Sequence, residues 1–191
     1  SVGWIKPGPV SKTLDHFFRL TPNDVNFVIS TTTWSLRLTN VDQFDPASLP
    51  DSIQTVVQLG RDLMTYEELD FVAVTGDLLQ SALGFEWNRA MRSALEDATG
   101  KPAATAMTAS TDALRAMGVS RPAVVTPVGD AKNADVRAYL EASGFDVATI
   151  QGFPTRSTRE IKALPLTAAY DAARSAFASA PGADGIYVMS V

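Results

Sequence analysis

The chain has 191 residues, 46% of them hydrophobic and 19% charged, enough to bury the interior of one ordinary domain or of two small lobes sharing a core. Its net charge of −5 excludes nucleic acid and anionic membranes as expected partners, because both need a basic patch. Zero cysteines and a single histidine, His16, exclude disulfides and thiolate metal sites among these residues, and no metal-ligand spacing is present.

Short β-rich runs alternate with helical patterns throughout. Val2-Gly3-Trp4-Ile5 reads as a strand stopped by Lys6-Pro7-Gly8-Pro9. A helix is expected from about Ser11 to Leu20, then a strand over Asn26–Ser30. Ile53, Val56, Val57, Leu59, Leu63 and Met64 recur at spacings of three and four, which predicts a helix over 51–66 with a buried face. Asp70–Val74 is the third strand and runs into Thr75-Gly76-Asp77. A helix over 86–99, a strand over 103–106 and a helix over 110–117 follow, the last stopping at Gly118. The order then restarts with a strand over Pro122–Thr126, a helix through Leu140 closing at Gly144, and a strand over 145–150. An Ala-rich helix over 166–179 and a buried strand over 185–190 complete the chain.

Matching the first and second strands of the two halves gives an offset of about 120 residues, and the third about 115. The pattern is a duplicated α/β unit, with 1–118 as one lobe and 119–191 as the other, and with Ala103–Met117 packing on the second lobe. Alternation predicts parallel sheets with helices on both faces, whose ligands sit beyond the carboxyl ends of the strands. The candidate site is therefore a cleft between the lobes, lined by the loops after Ile5, Val74, Thr126 and Met189. A core strand at the very end leaves its sheet uncovered, so the chain is expected to lack several tens of residues there, and a start at Ser1 rather than Met reads as trimming. No run reaches the roughly 20 apolar residues of a membrane span, and no signal-peptide pattern is present; the expected location is the cytoplasm.

The third strand carries a family likeness. Phe71–Leu79 with Gly84, then Gly100-Lys101-Pro102, Thr108, Ala113–Val119, Arg121–Pro127, Asn133, Tyr139–Phe145 and Ala183–Ile186 resemble the arylmalonate decarboxylase and maleate isomerase branch of the aspartate, glutamate and hydantoin racemase superfamily. The resemblance implies two pseudo-symmetric α/β lobes and no cofactor. It also implies an enediolate-like intermediate beside a carboxylate, with backbone and hydroxyl donors on its oxygens and one or two cysteines moving protons. The expected ligand is a small carboxylic acid, and homo-oligomers are common in the class.

The departures are as informative as the match. Gly76 stands where racemases carry their first cysteine and decarboxylases a glycine. The Thr-Ser donor pair of the decarboxylases becomes Asp77-Leu78, and their tyrosine becomes Val128. The second cysteine falls near Ser190, within a residue or two, so it can also lie past Val191. A two-thiol racemase is excluded, since Gly76 cannot move protons.

Asp77 and Ser190 are the candidate catalytic residues, Asp77 as proton carrier or as the cap of the next helix. Thr75, Gly76, Thr126, Pro7, Thr108 and Asn133 are the candidate substrate contacts, each with a structural alternative: strand residue, rigid turn, helix cap or early-helix polar group. Ser110 shares the cap alternative with Thr108. Trp4, Trp34 and Trp87 read as core or interface, His16 as a helix-face residue, and Gly129–Lys132 as too poor in glycine for a phosphate loop. Two functions remain open: a cofactor-independent decarboxylase or isomerase, and a thiol-less relative of ectoine-utilisation type that only binds a small acid.

Overall fold

The computed structural model describes residues 1–8, 13–34, 44–49, 51–165 and 167–190, with the side chains of 13–16, 46 and 158 outside that set. The His16 side chain, Pro9, Leu166 and Val191 therefore lie outside the described residues. The elements run β1 (Val2–Lys6), α1 (Thr13–Leu20), β2 (Phe27–Thr31), α2 (Ser52–Tyr66), β3 (Phe71–Val74), α3 (Asp77–Thr99), β4 (Ala103–Thr105) and α4 (Ala106–Ala116). The second half runs β5 (Pro122–Thr126), α5 (Asp130–Ala142), β6 (Thr149–Gly152), α6 (Thr158–Lys162), α7 (Ala168–Ser179) and β7 (Gly185–Val188).

Both sheets are parallel, and they share one wiring. In the first the order is β2-β1-β3-β4; in the second it is β6-β5-β7. In each, the first strand of the half sits beside both the second and the third, with the second on one side and the third on the other. Hydrophobic burial fixes it. Ile5, Val72 and Val74 point to one face of the first sheet and join Val56, Leu63, Met91 and Leu95 of α2 and α3 in one core. Val124 joins Val136, Tyr139 and Leu140 of α5 in another. Met107 and Leu114 of α4 belong to this second core, together with the partly buried Leu78 and Phe85 of α3. Thus α3 contributes to both interiors. Trp4 and Trp34 are buried, and the Trp87 indole donates to Ser52 Oγ at 3.0 Å.

Several boundaries depart from the sequence reading. α3 begins at Asp77, not near Glu86, because the chain turns helical directly after Gly76 and breaks only at Gly84, whose φ of 89° no helix residue adopts. The buried amide of Asn88 spans that break, donating to the carbonyls of Gln80 and Gly84 at 2.7 and 2.8 Å. α4 begins at Ala106 instead of 110, since Thr105 and Thr108 form a reciprocal capping box. The strand expected over 145–150 is only Thr149–Gly152; Phe145 and Val147 are buried as loop residues beneath α5. The short helix α6 had no sequence signal. Among the described residues no helix is long and apolar enough to cross a membrane, and no three metal-binding side chains cluster.

Candidate active site

The loop after β3 and the end of β7 meet. Ser190 Oγ donates to Asp77 Oδ1 at 2.5 Å, so the third strands of the two halves place their tips in contact. Two unusual backbone conformations make this meeting. Gly76 has φ 113° and caps α3, which turns the chain sharply from strand to helix and sets Asp77 at the first helical position. Ser190 has φ 53°, the left-handed region that non-glycine residues seldom occupy. A side chain at Gly76 would be strained, and a Cβ there would come within 2.7 Å of Pro7 Cγ. Pro7, from the loop after β1, thus packs on the turn that presents Asp77.

Asp77 is half-buried. Burial pushes its carboxyl above the ordinary 3.8, while hydrogen bonds from Ser190 and from the backbone N–H groups of Leu78 and Asp77 pull it back. The net direction is upward, toward a carboxyl that holds its proton at higher pH than a free aspartate. Tyr187 on β7 lies near enough for the Asp77 charge to act on it; burial first, and then that charge, raise its phenol pKa. The Tyr187 hydroxyl donates to Ser110 Oγ at 3.2 Å, which gives Ser110 a partner at the rim of the junction.

Thr75 completes the first-lobe side. Its Oγ1 accepts from the Trp4 indole at 2.9 Å, leaving its own proton free to donate. Beneath the turn, Gln80 is almost wholly buried and ties the end of β3 to the start of α4, donating to Val74 O at 2.9 Å and accepting from Met107 N–H at 3.2 Å. Thr105 Oγ1 donates to Asn88 Oδ1 at 2.7 Å, so a closed polar network holds the first turns of α3.

The remaining candidates are engaged inside the fold. Thr126 has no exposed surface; its hydroxyl donates to Asn133 Oδ1 at 2.5 Å. Gly152 closes on the pair so tightly that a Cβ there would come 2.5 Å from Asn133 Nδ2. Thr108 donates to Thr105 O and accepts from Thr105 N–H within the capping box. The structure thus brings Pro7, Thr75, Gly76, Asp77 and Ser190 together, and sets Thr126, Asn133 and Thr108 in local structural bonds. The sequence reading missed Gln80, Asn88 and Tyr187; the one available signal for the first two was their polarity within an otherwise apolar helix face.

The arylmalonate decarboxylase family model matches residues 21–190. The chain belongs to that family. Arylmalonate decarboxylase of Bordetella bronchiseptica is 29% identical over 134 residues, which cover 70% of this chain and 55% of that protein's length. A liganded double mutant of arylmalonate decarboxylase, with one glycine replaced by cysteine and one cysteine by serine, superposes with a TM-score of 0.80 at 26% identity, covering 98% of this chain and 76% of that one. A maleate cis-trans isomerase of Nocardia farcinica, a cysteine-to-serine mutant carrying a covalent succinylcysteine intermediate, shares the fold with a TM-score of 0.70 at 21% identity over 91% of this chain and 71% of that one.

Proposed function

We propose that this protein is a cofactor-independent decarboxylase of a small malonate-type acid, acting through an enediolate-like intermediate with Asp77 as the proton donor. The observation that carries the reading is the Asp77–Ser190 contact at the paired strand tips. Loss of carbon dioxide leaves an electron pair on the α-carbon, delocalised into the remaining carboxylate. The protonated Asp77 carboxyl then donates its proton to that carbon, and the resulting carboxylate regains a proton from water. A carboxyl whose pKa is lifted by burial suits this role, because it stays protonated nearer to neutral pH. Thr75, whose hydroxyl proton is not used within the fold, is the donor for the developing negative charge.

Decarboxylation is favoured over isomerisation by the residues available. A succinylcysteine intermediate, described for the Nocardia isomerase, requires a thiol, and these 191 residues contain none. The glycine and cysteine exchanged in the decarboxylase double mutant lie as far apart in that chain as Gly76 and Ser190 do here. That spacing supports Ser190 as the counterpart of the cysteine, with Asp77 taking over the acid's task.

The second reading, a small-acid binder without turnover, is favoured by Leu78 and Val128, which replace hydroxyl-bearing residues of the decarboxylase pattern. Incubation of the full-length protein with phenylmalonate and, separately, maleate, followed by proton NMR, discriminates the two. Phenylacetate formation with unchanged maleate supports the decarboxylase. Saturable shifts of cleft resonances without product support the binder.

A further inference from the structure

The carboxyl edge of the first sheet carries a cation that the reaction scheme above does not use. Lys6 is the last residue of β1 and pairs in register with Thr31 of β2. Ile5 pairs with Val74, and Thr75 N–H donates to Ile5 O at 3.0 Å, so Thr75 stands beside Lys6 on the other flank. Side chains alternate along a strand and neighbours in register share a face. Trp4 and Lys6 therefore project from the same face, and the bond from the Trp4 indole to Thr75 Oγ1 shows that Thr75 does too. The result is a Thr31–Lys6–Thr75 row, two hydroxyls flanking an ammonium at the strand ends where ligands of parallel sheets bind.

Lys6 is half-buried, and among the described residues it has no salt-bridge partner. Its nearest influential charge has the same sign. Burial first, and then the charge of Lys162 at the end of α6, lower its pKa. Lys162 is exposed and belongs to the second lobe, near enough for its charge to act on Lys6. Like charges repel, and among the described residues no carboxylate pairs with Lys6; an anion between the two ammonium groups reverses the sign of the interaction.

We propose that Lys6 and Lys162 clamp the retained carboxylate of the substrate across the lobes, with Thr31 and Thr75 as hydroxyl donors to the same group. This deepens the decarboxylase reading and rests on it for the substrate class. The clamp has a catalytic consequence as well as a binding one. As carbon dioxide leaves, negative charge grows on the retained carboxylate, so an ammonium there stabilises the transition state more than the bound acid. It also offsets the repulsion that an ionised Asp77 would exert on a dianion.

The test is malonate binding by isothermal titration calorimetry with the full-length protein, alongside phenylmalonate turnover. Lys6→Gln is expected to weaken malonate affinity about tenfold or more, Lys162→Gln by a smaller factor, and Lys6→Arg to retain most of it. Lys162 is exposed, so its variant reports on the clamp even if Lys6→Gln misfolds. Equal malonate affinity in the wild type and both glutamine variants, or no malonate binding by the wild type, overturns the clamp. Lysine-dependent binding without phenylmalonate turnover supports the clamp and removes the decarboxylase reading. Turnover undiminished in both glutamine variants removes the clamp and leaves that reading standing.

Discussion

The two lobes end their central strands in opposite ways. At the tip of the first sheet the polar groups turn toward the junction: Thr75 has a hydroxyl proton to give, Asp77 reaches across to the other lobe, and Lys6 has no ion-pair partner among the described residues. At the tip of β5, the central strand of the second sheet, the counterpart of Lys6 is Thr126, which turns inward and spends its hydroxyl on Asn133. Equal positions in a duplicated fold have thus been divided, one half supplying reactive groups and the other rigidity. The only second-lobe side chain bonded to Asp77 among the described residues comes from the end of the third strand, Ser190.

Experiments can break this division at several points. Asp77→Asn keeps the shape but removes the acid, and phenylmalonate turnover followed by proton NMR is expected to fall by roughly 100- to 10,000-fold, the usual worth of a positioned acid. The same variant tests the pH behaviour. A carboxyl whose folded pKa lies above its unfolded value binds its proton more tightly when folded, so its contribution to stability is complete below about 3.8 and is lost as pH rises through the folded pKa. Asp77→Asn is expected to abolish that decline in denaturant titrations.

Thr126→Val probes the opposite lobe. It strands the buried Asn133 carbonyl, at a cost of about 1–3 kcal/mol measurable by urea unfolding, with little change in KM. A large loss of turnover at unchanged stability would instead move Thr126 into the chemistry. Gly76→Ala meets both a positive φ and the Pro7 ring, and is expected to cost about 1–3 kcal/mol in the same assay. Ser190→Ala is the mildest change. Its hydroxyl lowers the Asp77 pKa, so removing it raises that pKa further and carries the alkaline limb of the pH–rate profile upward, readable from rates across a pH series.

Much of the fold was legible because burial writes itself into strands such as Val124–Val125 and into the helical period of α2. The two-lobed parallel architecture and the closeness of the loops after β3 and β7 follow from that pattern, whereas the family likeness rests on particular motifs such as Phe71–Leu79 and Arg121–Pro127. Misplaced boundaries share one cause, namely local signals pointing the wrong way. Gly84 interrupts the apolar period of α3 and hides its true start, while Phe145 and Val147 alternate like a strand but are buried by the helix above them. The Lys6 row was invisible for a different reason. Its members come from two strands and the loop after a third, and only register, which no single segment encodes, sets them side by side.

The broken helix α3 has a consequence for how such a protein can change over time. Its opening turn carries the acid, while its flanks are shared between both interiors. A volume change at Leu83 or Phe85 therefore cannot be absorbed privately by one half; it tilts the segment that aims Asp77. Selection for a new substrate has its freest choices in the loops beyond the strand tips, and its most constrained ones along this shared axle.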